Sequence, residues 1–528
     1  MAYRANFSTQ MSMDDSFERL SDRTKRIVMN SWAKGFADKV FPAIDSEAFR
    51  VLYKDTKASR PPTPANYIVG AMLIKEMFGL TDDETVEMVQ CDVRAQYALH
   101  STSLEEQPIS DRTFSRFRER LYNYEQETGI DLLKEEMEKI SDQFCEYLDI
   151  NKKVKRMDSL MVSMHAKAMS RLEIIYTTVQ KCAELLKKNG MENLIPEDMK
   201  HYLDPDDLNE VIYYAKDEDV EPRLQKASDE ALKMKEIMDN DDWYDTTEYQ
   251  LLIRVLNEQT EDGKPKDKRK IRSDSLQNPN DPDATYRKKA GKDHKGYVGN
   301  IVEAIGDNGA SQIIDFDYDQ NTHSDSAYSR NYIEHNSDET MIADGAYGSV
   351  ELQKLAEEKN IKLVTTCLTG KDPDPVFKDF QLNEDGTAVI TCPQGNEPIS
   401  SKYHSGSEMI RVKMNLHDCA NCPLKELCKA KFQKSSAVVM VSRKMKLRAE
   451  YLEKLGTDEY IALSRQRNAV EGIMSVLRRR FHVDAIPVFG KQRSKTFFYF
   501  KVGAFNVVKL LRHMPETQKN EEMEPAIA

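Results

Sequence analysis

Five short apolar runs constrain this chain most, because a long charged stretch separates the first run from the other four. Residues 154–164, 297–305, 311–316, 339–343 and 361–367 have the length and composition of strands. Gly306-Asp-Asn-Gly309 joins the second and third as a hairpin. Asn321-Thr-His-Ser-Asp325 caps a helix, and residues 349–358 have the pattern of another, so the last two runs are linked by helices. Residues 171–262 are rich in Glu, Lys, Leu and Met and read as helical. Residues 264–295 read as a polar, basic linker in which Asn278-Pro-Asn-Asp-Pro-Asp283 forbids regular structure. With this insertion set aside, three meandering strands precede two helix-linked ones. The expected class is α/β with a mixed sheet.

At 528 residues the chain exceeds one ordinary core. Residues 1–60 read as an N-terminal segment with one helix, closed by Pro61-Pro-Thr-Pro64. Residues 61–150 read as an all-α domain, with Tyr67, Ile68, Ala71, Met72, Ile74, Met77 and Phe78 at helix spacing. Thr81-Asp-Asp-Glu84 predicts a capping box, and Ser110 opens a helix bearing Arg112, Arg116, Arg118 and Arg120. A helix-turn-helix reader of DNA and a helical bundle with a basic surface both fit that pattern. Residues 151–515 form the expected catalytic domain, with insertions at 165–296 and 370–440, and 516–528 are a polar tail. No apolar run reaches the length of a signal peptide core or a membrane span, so the expectation is a cytoplasmic protein with no membrane partner.

Three acids stand out. Asp158 interrupts the first strand, Asp344 ends the fourth in Met341-Ile-Ala-Asp-Gly-Ala-Tyr-Gly348, and Glu471 lies on a basic amphipathic helix. A carboxylate neither paired nor metal-bound is costly against an apolar strand. Three converging carboxylates suit a pair of hard cations, Mg²⁺ or Mn²⁺, and such a pair serves phosphodiester chemistry. Arg467 lies four residues before Glu471 and Arg478 seven after, near one helix face, as phosphate clamps around a ligand would. An exposed ion pair is the plainer account of Arg467 and Glu471.

Net charge is −13, yet its sign is segregated. Between Arg465 and Lys501 nine Lys or Arg face only Glu471 and Asp484. Further basic clusters occupy 152–156, 264–272 and 287–289. Asp315, Asp317 and Asp319 lack the Gly and Glu of a calcium loop and read as a solvated strand face. Cys392, Cys419, Cys422 and Cys428 have spacings that suit a structural Zn²⁺, or four ordinary reduced thiols. Few aliphatic residues surround them, and a staple would help so small an insertion fold.

With these motifs the chain resembles bacterial insertion-sequence transposases of the DDE class, in the branch whose third motif reads Tyr-x2-Arg-x3-Glu-x6-Lys. Here the stretch is Ser464-x2-Arg467-x3-Glu471-x6-Arg478, with Ser in place of Tyr and Arg in place of Lys. The strand order matches the ribonuclease-H-like fold. The resemblance implies Asp158, Asp344 and Glu471 as catalytic metal ligands for two ions, and cleavage of element ends followed by strand transfer into target DNA. It also implies DNA contacts by Arg467, Arg478, Arg112 and Arg116, a homodimer on DNA, and association with the nucleoid. A transposase-derived DNA-binding protein without catalysis, and a nuclease of the same fold without strand transfer, are the alternatives.

Overall fold

The computed structural model describes residues 15–53, 62–104, 107–212, 220–289 and 291–514. Helix α1 (Asp22–Met29) is followed by α2 (Ala65–Phe78), α3 (Asp82–Cys91), α4 (Asp111–Thr128) and α5 (Leu132–Tyr147). The capping box at Thr81 forms, with the Thr81 side chain accepting from the Glu84 N–H and Glu84 accepting from the Thr81 N–H. Helix α2 is buried almost all round, which its run of apolar residues demands.

The main sheet contains β1 (Val154–Ser163), β2 (Thr285–Lys289), β3 (Lys292–Ile305), β4 (Ser311–Gln320), β5 (Thr340–Ala343) and β6 (Lys362–Thr365). Its order is β2-β3-β1-β5-β6, and β4 pairs with the same edge of β3 that β2 uses. β3 runs antiparallel to β1, β2 and β4, whereas β1, β5 and β6 are parallel. This mixed sheet behind a helical N-terminal region is compatible with a ribonuclease-H-like domain. Helices α9 (Asp325–His335) and α10 (Val350–Glu358) are the crossovers on either side of β5.

Strand alternation divides the sheet between two cores. Leu160, Val162, Ile301 and Phe316 join a core with residues of α2, α4 and α5. Met157, Val302 and Met341 face the other side, against Tyr328, Ile333 and Leu352. The N-terminal helices and the sheet thus share one continuous core, and residues 28–49 of the N-terminal segment are part of it.

Both insertions have cores of their own. Between β1 and β2, helices α6 (Arg171–Lys188), α7 (Val220–Met238) and α8 (Thr247–Gln259) pack around Ile175, Val179, Met234 and Leu252. After β6, strands β7 (Ser400–His404), β8 (Met409–Asn415), β9 (Lys431–Phe432) and β10 (Ser436–Val441) form an antiparallel sheet in the order β7-β8-β10-β9. Phe377, Phe380, Ile410, Val412, Val439 and Val441 fill its core. This overturns the expectation that the second insertion has too few aliphatic residues for a core: they are spread along short strands and meet only on folding. Residues 285–289, expected within a linker, form strand β2 instead.

Helix α11 (Arg443–Leu455), α12 (Asp458–Arg465) and α13 (Asn468–Phe481) lead to α14 (Lys491–His513), most of whose residues are buried in the shared core. The acids of β4 are not a solvated face. Asp315 lies 3.4 Å from Lys134 and Asp319 2.6 Å from Lys491. No helix among the described residues is long and apolar enough to cross a membrane.

Candidate active site

The register of the parallel pair β1 and β5 sets two of the acids level. Arg156 is opposite Ile342, so two residues further on Asp158 stands level with Asp344, just where β5 ends. The Asp158 carboxylate accepts from the Ser159 N–H at 2.8 Å. Burial holds its titration above the ordinary range, and Asp344 pushes the same way. The Ser159 N–H, Arg467 and Lys289 oppose the shift.

Asp344 caps the short turn Gly345–Tyr347 and accepts from the Gly345 N–H at 2.7 Å and from the Thr366 hydroxyl at 3.1 Å. The turn is pressed against the chain leaving β6, where a Cβ on Gly345 would run into the Cys367 sulfur. Glycine allows that approach without displacing the Cys367 side chain. Glu471 comes from the first turn of α13 and is exposed.

Arg467 stands between the acids. Its guanidinium lies 3.7 Å from Asp344 and 3.5 Å from Glu471, and its charge is felt by Asp158. Its buried Nε has no hydrogen-bond partner among the described residues. The exposed i,i+4 pair allowed by the sequence is therefore wrong in one respect: Arg467 itself is largely buried, with a side-chain exposure of 17%, against 65% for Glu471. Its guanidinium faces Asp344 and Glu471.

Arg156 anchors the start of α13 to β1. It donates to the Gln466 carbonyl at 2.7 Å and to Glu303 at 2.6 and 3.0 Å, and Glu303 also pairs with Lys509 at 2.9 Å. Sequence reasoning missed Arg156 and Thr366 as supports of the site. A cation inside the strand two residues before Asp158 was the available signal for Arg156; Thr366 gave none.

Arg478 is exposed on α13. Arg112 and Arg116 are exposed one helical turn apart on α4, with no ion-pair partner among the described residues, while Arg118 is spent on Asp82. The four cysteines Cys392, Cys419, Cys422 and Cys428 line one cavity of about 30 Å³ in the second insertion. Burial, then its three neighbouring thiols, push Cys428 up to about 11. Among the described residues no group of three or more His, Cys, Asp or Glu side chains is arranged to hold a metal ion. At the carboxylates the guanidinium of Arg467 stands in the intervening space; the thiols are gathered but not closed.

Residues 391–511 match the family model of a transposase DDE domain, and residues 24–120 match a transposase domain, DUF772. Both matches are to transposase domains, the first of the DDE type. The first takes in Glu471, the thiols and α14, and the second takes in the exposed arginines of α4. Strands β1 to β6, with Asp158 and Asp344, lie between the two. Domains of the DDE kind generally use divalent metals. No curated protein and no solved structure shows significant similarity to the chain.

Proposed function

We propose that this protein is a DNA transposase that cuts the ends of a mobile element and joins them to target DNA. The observation carrying this reading is the meeting of Asp158, Asp344 and Glu471 around Arg467 where β5 ends beside β1 in a mixed, ribonuclease-H-like sheet. Their hard oxygen donors suit Mg²⁺ or Mn²⁺, and the three acids would hold two such ions. When bound, the ions supply activation of the attacking oxygen and stabilisation of the leaving one.

The chain's own residues do the remaining work. Arg467 offsets part of the acids' charge in the free protein and stands within reach of a phosphate laid across them. The Ser159 and Gly345 N–H groups and the Thr366 hydroxyl fix the rotamers of Asp158 and Asp344. Arg478 faces solvent two turns along α13, as a contact to the strand backbone requires. Arg112 and Arg116 of the helical domain supply recognition of the element ends, and pairing two ends calls for a homodimer on DNA. Hydrolysis at each end frees a 3′-hydroxyl, which attacks a phosphorus of the target, forming a new phosphodiester bond as the target's own 3′-oxygen leaves as a hydroxyl. Ser464, in place of the branch's Tyr, donates its hydroxyl to the Ile461 carbonyl at 3.0 Å. A soluble enzyme at the nucleoid fits these tasks.

The test is nicking and strand transfer of a labelled fragment carrying the DNA that flanks the gene, with a plasmid as target and Mg²⁺ present. Asp158→Asn, Asp344→Asn and Glu471→Gln should each lose cleavage by several orders of magnitude while still binding DNA. Cutting by Glu471→Gln at the wild-type rate would remove Glu471 from the site. Nicking without joining by the wild type would make the protein a nuclease.

A further inference from the structure

The basic run at residues 287–289 is not a linker but one side of the β2–β3 hairpin, and this hairpin leans over the carboxylates. Its shape originates at Gly296, whose φ of +141° only glycine adopts easily and where a Cβ would overlap the Val162 carbonyl oxygen. β3 is thereby pressed against the end of β1, and the Met164 N–H donates to the Lys295 carbonyl at 3.1 Å. The far end of the hairpin returns towards the site. Lys289 Nζ donates to the Ser159 hydroxyl at 3.1 Å, next in sequence to Asp158.

One buried acid holds the hairpin there. Asp325, at the start of α9, has 2% side-chain exposure and accepts from Arg287 at 3.0 and 3.3 Å and from Ser159 at 3.2 Å. Lys289 stands 3.8 Å from the same carboxylate. The other charges divide plainly. Lys295 donates to the Met169 carbonyl, and Asp293 accepts from Tyr286. Lys288 and Lys292 are exposed with no acidic partner among the described residues. Arg478 extends the same strip from α13: beyond the effect of burial, the charges of Lys289, Lys292 and Arg478 all depress the titration of His294. Cations gathered this closely repel one another, and a polyanion relieves that repulsion.

We propose that the β2–β3 hairpin is a phosphate-binding arm, in which Lys289 and Lys292 act with Arg478 to hold the backbone of the DNA strand passing the carboxylates, while Asp325 fixes the arm through Arg287. This rests on the transposase reading and extends it to residues that no motif of the resemblance includes. Lys289 and Lys292 are positioning residues, because they bind phosphate away from the bond that breaks.

The experiment measures duplex DNA binding by the full chain against salt concentration, for wild type, Lys289→Ala, Lys292→Ala and Arg478→Ala. Removing one cation from the phosphate backbone should lower the slope of log affinity against log salt by about 0.9 and weaken binding similarly on any sequence. Lys268→Ala, in the basic loop of the helical insertion, should leave the slope unchanged. Wild-type slopes in Lys289→Ala and Lys292→Ala, or an equal fall in Lys268→Ala, would overturn the arm. Metal-dependent nicking by the wild type separates the two readings: cutting with unchanged slopes sinks the arm alone, and neither binding nor cutting sinks the transposase as well.

Discussion

The carboxylate edge and the thiol cavity gather their side chains in opposite ways. Asp158, Asp344 and Glu471 come from two strands and a distant helix, and meet only because β1 and β5 pair in one register and Arg156 ties α13 to β1. Cys392, Cys419, Cys422 and Cys428 come from one insertion and meet around the small sheet β7-β8-β10-β9. The first site depends on the whole fold and contributes little to it. The second depends on its neighbourhood and bears mainly on that neighbourhood's stability. Damage at the edge should therefore appear as lost activity in a folded protein, and damage at the cavity as local unfolding.

The sharpest way to break this contrast is Gly345→Ala. The added Cβ meets the Cys367 sulfur and crowds the Cys367 backbone, so the turn carrying Asp344 is pushed unless that exposed side chain swings aside. Cleavage should fall by about 100-fold, the scale expected for a catalytic group misplaced by about 1 Å. The double variant Gly345→Ala/Cys367→Ala should recover part of the loss, because the clashing atom is gone. No recovery, measured as nicking rate, would mean that the turn is constrained elsewhere.

A smaller and local effect is expected at the thiols. We expect about one Zn²⁺ per chain by elemental analysis, held by the four cysteines once their side chains close on it. Chelation or Cys422→Ser should then speed amide exchange in β8 and β10 and leave β1 and β3 protected. A metal-free protein whose Cys422→Ser variant exchanges like wild type would reduce the cluster to four ordinary thiols.

The smallest effect concerns the shared core. Burial, opposed by the Asp45 N–H, raises Glu136 of α5 to about 7 from an ordinary 4.5. A raised folded value means that its contribution to stability is whole below about 4.5 and is lost as pH rises through about 7. Glu136→Gln should therefore be more stable than wild type at pH 8, by about 1–3 kcal/mol, with the difference fading towards pH 4.5. Equal midpoints in thermal melts at both pH values would show that the carboxylate is solvated.

The same contrast explains what was legible in the sequence. The strands carrying Asp158 and Asp344 announce themselves, since β1 and β5 bury dense apolar runs and a strand-end acid is conspicuous in them. Caps such as Thr81 and Ser324 are equally local signals. β2 was hidden because Tyr286, Arg287, Lys288 and Lys289 show no apolar alternation, and Asp325, the acid that anchors Arg287, lies far along the chain. β7 and β9 are short and exposed, so no periodicity marks them. The position of Arg467 among the acids was hidden for the same reason, since its spacing to Glu471 is equally that of a solvated pair.

The continuous core joining the helical domain to the sheet has a consequence for where DNA is cut. With α14 packed against both α2 and β4, the exposed arginines of α4 and the carboxylate edge belong to one stiff body. A DNA end gripped at α4 is then measured off by a ruler of fixed length. One base pair inserted between the recognised sequence and the cleavage point advances the duplex by about 3.4 Å and turns it by about 35°. A rigid ruler ignores the inserted letter: the cut should stay at the same distance from the recognised sequence and so fall one nucleotide short of the original junction.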